Sequence, residues 1–174
     1  EEGSTPKGSI LRLPEYLHFF FKDMGYQYIV FYDSRQGFYN ACEDGYLDSF
    51  ARLAECSASQ GFIKSEFKGS GKNDAAVNIV RKTLSQNKEA TVIMMDFASR
   101  YITSPDNMEQ CEVDSFTVLL QATLDAKDVR TANNGVLKNL LILVTNKAND
   151  IPAWFYLQNP NVKMITLSFP SKEE

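Results

Sequence analysis

The chain has one histidine, His18, and three cysteines, Cys42, Cys56 and Cys111. A single histidine leaves no means to build a His-rich metal centre or a His-based catalytic triad. The cysteines show no metal-ligand spacing and are odd in number, so they read as small hydrophobes of a reducing compartment. No Asn-x-Ser/Thr sequence occurs, which agrees with that compartment. Positive charge is not in excess: 18 Lys and Arg face 22 Asp and Glu, a net charge of −4. No general basic field for nucleic acid follows from that balance. No apolar run approaches the roughly 20 residues of a membrane-spanning helix. The first residues are polar and begin with two glutamates, so no segment reads as a secretory signal. These absences lead to the expectation of a cytoplasmic protein without a membrane partner, and nucleic acid is not indicated, though the balance leaves room for a local basic patch.

What is present is enough apolar material for one domain: 44% hydrophobic and 12% aromatic residues in a chain of 174. Two runs organise it. Ala90–Asp96 is apolar, rich in β-branched residues and ends on a carboxylate. Asn139–Asn146 repeats the arrangement and ends on an amide. Both fit buried strands, and the carboxyl end of such a strand is where ligands bind in open α/β sheets.

Around these runs the pattern alternates. Residues 1–12 form a polar segment expected to be flexible, and 13–174 a single domain. Pro14 suits a helix start, Leu17, Phe20, Phe21 and Met24 recur at helical spacing, and Gly25 supplies a stop. His18 beside this stripe reads as structural or exposed. Phe19 falls outside it and suits a second contact. Tyr26–Tyr32 is a strong strand, and Asp33–Gly37 a turn. Leu47, Phe50, Ala51 and Ala54 mark a helix, and residues 62–67 a weak strand. Ala76, Val77, Val80 and Leu84 mark a second helix, capped by Asn73 or Asp74. Asp106, Glu109, Glu112 and Asp114 surround a further helix start, where the dipole favours carboxylates; Val113, Phe116, Leu120 and Leu124 are its expected apolar face. Asn133-Asn134-Gly135 is a turn signal. Trp154 sits in a helical turn with Phe155 and Tyr156, residues suited to the core or to a subunit contact. Residues 162–169 read as a last strand. Strands alternating with helices at this spacing argue for an α/β fold, a three-layer αβα sandwich with a mostly parallel sheet.

Gly69-Ser70-Gly71-Lys72-Asn73 looks like the tail of a phosphate-binding loop. The full motif needs glycine where Glu66 stands and a hydroxyl where Asn73 stands. The loop after the first strong strand, Asp33–Asn40, offers one glycine, Gly37, and no lysine.

Taken together, these motifs resemble the large subdomain of AAA-family ATPases, over roughly residues 26–174. Val92-Ile93-Met94-Met95-Asp96 is similar to that family's Walker B strand, and Leu140–Asn146 to its sensor 1 strand. The helix from Lys72 to Val80 looks like the one before Walker B, and residues 162–170 like the last core strand and its proline. The resemblance implies a P-loop-NTPase-like core in a degenerate form. The position that would hold the catalytic glutamate is Phe97, and residues 148–163 contain no arginine finger. It therefore implies a non-hydrolysing module, a pseudo-ATPase with no catalytic residues, serving assembly, regulation or partner binding beside an ATPase domain of a longer protein whose N-terminal part this chain is. Protein partners or an oligomer are its expected company. A first alternative is an active nucleotide domain whose phosphate loop is Gly69–Asn73. On that alternative ATP and magnesium are the ligands, Lys72, Asp96 and Asn146 bind the nucleotide, and Asp96 holds the metal. A second alternative is a metal-dependent doubly wound domain of another family, with Asp33 and Asp96 sharing the ion.

Overall fold

The computed structural model describes residues 11–42, 46–55, 75–157 and 159–167. The weak strand at 62–67, the Gly69–Asn73 loop with Lys72, the Asn73 and Asp74 caps, Cys56 and Pro170 lie outside the described residues.

The chain enters through α1 (Leu13–Asp23), with proline in its first turn. Pro14 costs nothing there because first-turn N–H groups have no helical partner. The Glu15 carboxylate accepts the Arg12 backbone N–H at 3.0 Å and its guanidinium at 2.8 and 3.0 Å. Gly25 ends the helix at φ +98°, a conformation in which a Cβ is strained. There follow β1 (Tyr28–Asp33), β2 (Gly37–Tyr39), α2 (Leu47–Leu53), α3 (Ala75–Ser85), β3 (Thr91–Met95), α4 (Gln110–Leu124), β4 (Asp128–Arg130), β5 (Val136–Lys138), β6 (Leu140–Leu143) and α5 (Ala153–Tyr156).

The main sheet runs β2-β1-β3-β6. β1, β3 and β6 are parallel, with Ile29, Val92 and Leu140 in register, and β2 returns antiparallel along β1. Side chains alternate between the two faces. Val30, Tyr32, Ile93 and Met95 share one core with Phe50 of α2, Val80 and Leu84 of α3, and Phe116 and Leu119 of α4. Ile29, Phe31, Val92 and Met94 share the other with Phe21 of α1 and Val129 of β4. Helices therefore cover both faces, and the αβα sandwich with a mostly parallel sheet is observed. Asn139 fastens the start of the sheet. Its Oδ1 accepts the Thr91 N–H at 3.0 Å, and its Nδ2 donates to the carbonyls of Leu84 at 3.1 Å and Gln86 at 2.7 Å.

Several elements differ from the sequence expectations. On α1, His18 and Phe21 are buried, whereas Phe20 and Met24 face outward with Leu13 and Tyr16. The helix is apolar over more than one face, and the strand residues beneath it select the inward side. On α4 the buried set is Glu112, Ser115, Phe116, Leu119 and Ala122, and Leu124 is exposed. Small Ser115 and Ala122 permit a close approach to neighbouring elements, and a search for large apolar residues passes over them. The turn at Asn133-Asn134-Gly135 joins β4 and β5 into a separate hairpin, strands too short to leave an alternating signal. Over 162–167 the expected last strand does not form, and Met164, Ile165 and Leu167 are exposed. β propensity without a pairing partner does not make a strand. Cys42 is exposed and Cys111 partly so.

Candidate functional site

Three parallel strands end at one edge of the sheet, and each delivers a polar residue there. β1 ends on Asp33, β3 is followed by Asp96, and Asn146 follows β6. Tyr32 pairs with Met95, so Asp33 and Asp96 are lateral neighbours on adjacent strands. Both alternate onto the face that carries Phe31, Met94 and α1. Two tyrosines register the pair. Burial raises the Tyr39 phenol above its usual range, and Asp33 and Asp96 raise it further. Tyr101 is raised by burial first, then by Tyr32, Asp33 and Asp96. Its hydroxyl donates to the Asp96 backbone carbonyl at 2.5 Å.

Asp33 is 6% exposed. Its Oδ1 accepts the N–H groups of Arg35 at 2.8 Å and Gln36 at 2.7 Å. That bonding builds a three-residue turn, Ser34-Arg35-Gln36, closed by Gly37 at φ +83°. Such a loop with a left-handed glycine is a favoured hairpin connection. The chain leaving β1 therefore folds straight back as β2. A phosphate cradle needs the opposite course, from strand through an open loop of N–H groups into a helix start.

The turn after β3 is held differently. Asp96 Oδ1 accepts the N–H of Phe97 at 2.8 Å. Phe97 itself lies in the left-handed region, φ 52°, and is 54% exposed. A bulky residue there is strained. Ala98 N–H donates to the Val144 carbonyl, and Asn146 N–H donates to Ser99 Oγ at 2.9 Å. The structure thus brings Asp96 and Asn146 to one edge, linked through the 3₁₀ turn at Ala98–Arg100. The Asn146 side chain is exposed. Lys72 lies outside the described residues, so its distance from either is not defined.

Beneath this edge, the start of α1 closes over the sheet and leaves a cleft of about 70 Å³. Leu13, Pro14 and Leu17 form one wall, and Phe31, Met94 and Val144 the other, with Asp96 the one charged residue of the lining. Pockets for nucleotide-sized ligands run to roughly 300–1,000 Å³, so this cleft has the scale of a side chain. Among the described residues, no group of three or more His, Cys, Asp or Glu is arranged to hold a metal. At this edge the turn after β1 is closed by the bonds to Asp33, and Asp96 supplies the charge of the cleft.

A family model described as the N-terminal Rossmann-like domain of AAA+ chaperones matches residues 3–168. The chain belongs to this family. Comparisons with curated proteins and with solved structures give no match. The AAA resemblance read from the strand ends thus rests on a family match over nearly the whole chain. The AAA+ chaperone domain is Rossmann-like by description, in keeping with the parallel β1, β3 and β6 and their shared carboxyl edge. That membership sets aside a domain of another family. Among the described residues, no helix is long and apolar enough to cross a membrane. Sequence reasoning missed two features of this edge. The shortness of the Asp33–Gly37 turn, an Asp four residues ahead of a Gly, was the available sign of the hairpin. Nothing local marked the left-handed Phe97.

Proposed function

We propose that this AAA+ chaperone N-terminal domain is a non-hydrolysing module that serves assembly, regulation or partner binding within a larger ATPase. The carrying observation is the hairpin after β1, which occupies the place where a phosphate loop would run. The position after Asp96 supports the same reading, because Phe97 can neither take nor give a proton. An outward ridge on α1 supports the partner-binding part. Leu13, Tyr16, Phe20 and Met24 are 40–52% exposed, and Tyr16 and Phe20 stack at 6.2 Å. Aromatic and Met side chains are enriched at contact surfaces. On this reading the domain acts in the cytoplasm, without ATP or magnesium of its own, and its company is protein: an adjacent ATPase domain, a partner or further copies.

The test is calorimetric titration of the folded chain with ATP and ADP, with and without magnesium. The reading expects no saturable heat at millimolar nucleotide. Saturable micromolar binding would overturn it and revive the alternative cradle at Gly69–Asn73, in which Lys72, Asp96 and Asn146 hold the nucleotide and Asp96 the metal. In that event Lys72→Ala should abolish the binding.

A further inference from the structure

The Asp96 carboxylate has an unusual setting. It lines a cleft whose other walls are Leu13, Pro14, Leu17, Phe31, Met94 and Val144. Its one side-chain hydrogen bond among the described residues comes from the N–H of its own neighbour, Phe97, at 2.8 Å. The nearest basic residue at the start of α1, Arg12, spends its guanidinium on Glu15 at 2.8 Å. The carboxylate is half-buried and its bond to Phe97 is open to solvent, so a cation can reach it and pair with it. The cleft is too small for a nucleotide but suits one unbranched stem.

We propose that this cleft receives a lysine or arginine side chain from a partner protein segment. The methylene stem lies against Leu13, Leu17 and Met94, and the cationic head meets Asp96. Lysine and arginine are the side chains that pair an apolar stem with a charged end. Charge complementarity chooses this occupant over a purely apolar one: an aliphatic side chain would bury Asp96 further and leave it unmatched. The inference rests on the partner-binding reading and names the chemistry of the partner.

The experiment follows backbone amide resonances of the chain during titration with N-acetyl-lysinamide, N-acetyl-argininamide and N-acetyl-norleucinamide, at low and high salt. The cationic amides are expected to shift Asp96, Phe97, Ala98, Leu13 and Val144, and the norleucine amide is not. Asp96→Asn is expected to weaken the effect by about fivefold, the upper range for a solvent-accessible ion pair. Raised salt should weaken it in the wild type, and this arm needs no variant to fold. Equal shifts with norleucinamide would overturn the proposal in favour of a plain apolar crevice. Shifts confined to added magnesium would overturn it in favour of a metal at Asp96, and silence from all three amides would also overturn it. Because no nucleotide enters the titration, its failure is separate from failure of the calorimetric test above.

Discussion

Replacing Asn139 probes the fold at its most connected point, because one buried side chain joins three elements. Asn139 is 2% exposed. Asn139→Ala removes the acceptor for the Thr91 N–H at 3.0 Å and the donor to the Gln86 carbonyl at 2.7 Å. The Leu84 carbonyl keeps the Lys127 N–H at 2.9 Å, so it is not orphaned. The Thr83 contact at 3.4 Å is too long to add much. Two orphaned groups, one of them half-open to water, cost about 2–4 kcal/mol at roughly 1–3 each. Against the roughly 5–15 kcal/mol of a typical domain that is a large share. Urea unfolding would measure it, with a lower midpoint and an unchanged slope, since the surface exposed on unfolding is the same. A loss below about 0.5 kcal/mol, the scatter of ordinary surface changes, would refute the clamp. Asn139→Asp keeps the acceptor but sets a carboxylate against carbonyl oxygens, which should raise its pKa in the fold. That group's contribution should then be complete below the unfolded value of about 3.9 and be lost as pH rises through the folded value.

Tyr26, Tyr39 and Tyr101 are all raised above the ordinary 10.0, burial being the first cause in each. Their contribution to stability is complete below that value and is lost as pH rises through the folded values. Alkaline titration of tyrosinate absorbance should therefore leave these three protonated until cooperative unfolding; full ionisation near pH 10 with native circular dichroism would count against the described burial. Gly37→Ala, at φ +83°, should cost about 1–2 kcal/mol in urea, the penalty for a side chain in the left-handed region. Phe97→Gly should change stability by less than about 1 kcal/mol, strain relief being offset by greater freedom of the unfolded chain; a larger loss would mean that the ring is packed rather than displayed. Phe20→Glu on the outward face of α1 should stay within about 0.5 kcal/mol of wild type, and a large loss would show that the face is covered.

The family and the layer architecture were legible because they depend on local signals. The runs ending at Asp96 and Asn146 are short, apolar and β-branched, and the helices ahead of them carry periodic residues; β3 is fully buried as expected, whereas β6, at the sheet edge, is only half-buried. Ala76, Val77, Val80 and Leu84 are all fully buried on α3, as their spacing requires. Features that depend on a neighbouring element were not legible. Which side of α1 turns inward depends on Phe31 and Met94 beneath it, because the helix is apolar on more than one side. Whether residues 162–167 pair depends on an available strand edge, not on their own propensity.

The sequence by itself determined that apolar strands lead into Asp33, Asp96 and Asn146, since residue pattern and turn chemistry act within a few residues. Only the tertiary structure decided that Asp33 and Asp96 stand side by side, that the chain after β1 returns as a strand, and that α1 roofs Asp96 with apolar walls. Asp33 and Asp96 are more than 60 positions apart and meet through sheet register, which is a property of packed strands rather than of any one segment.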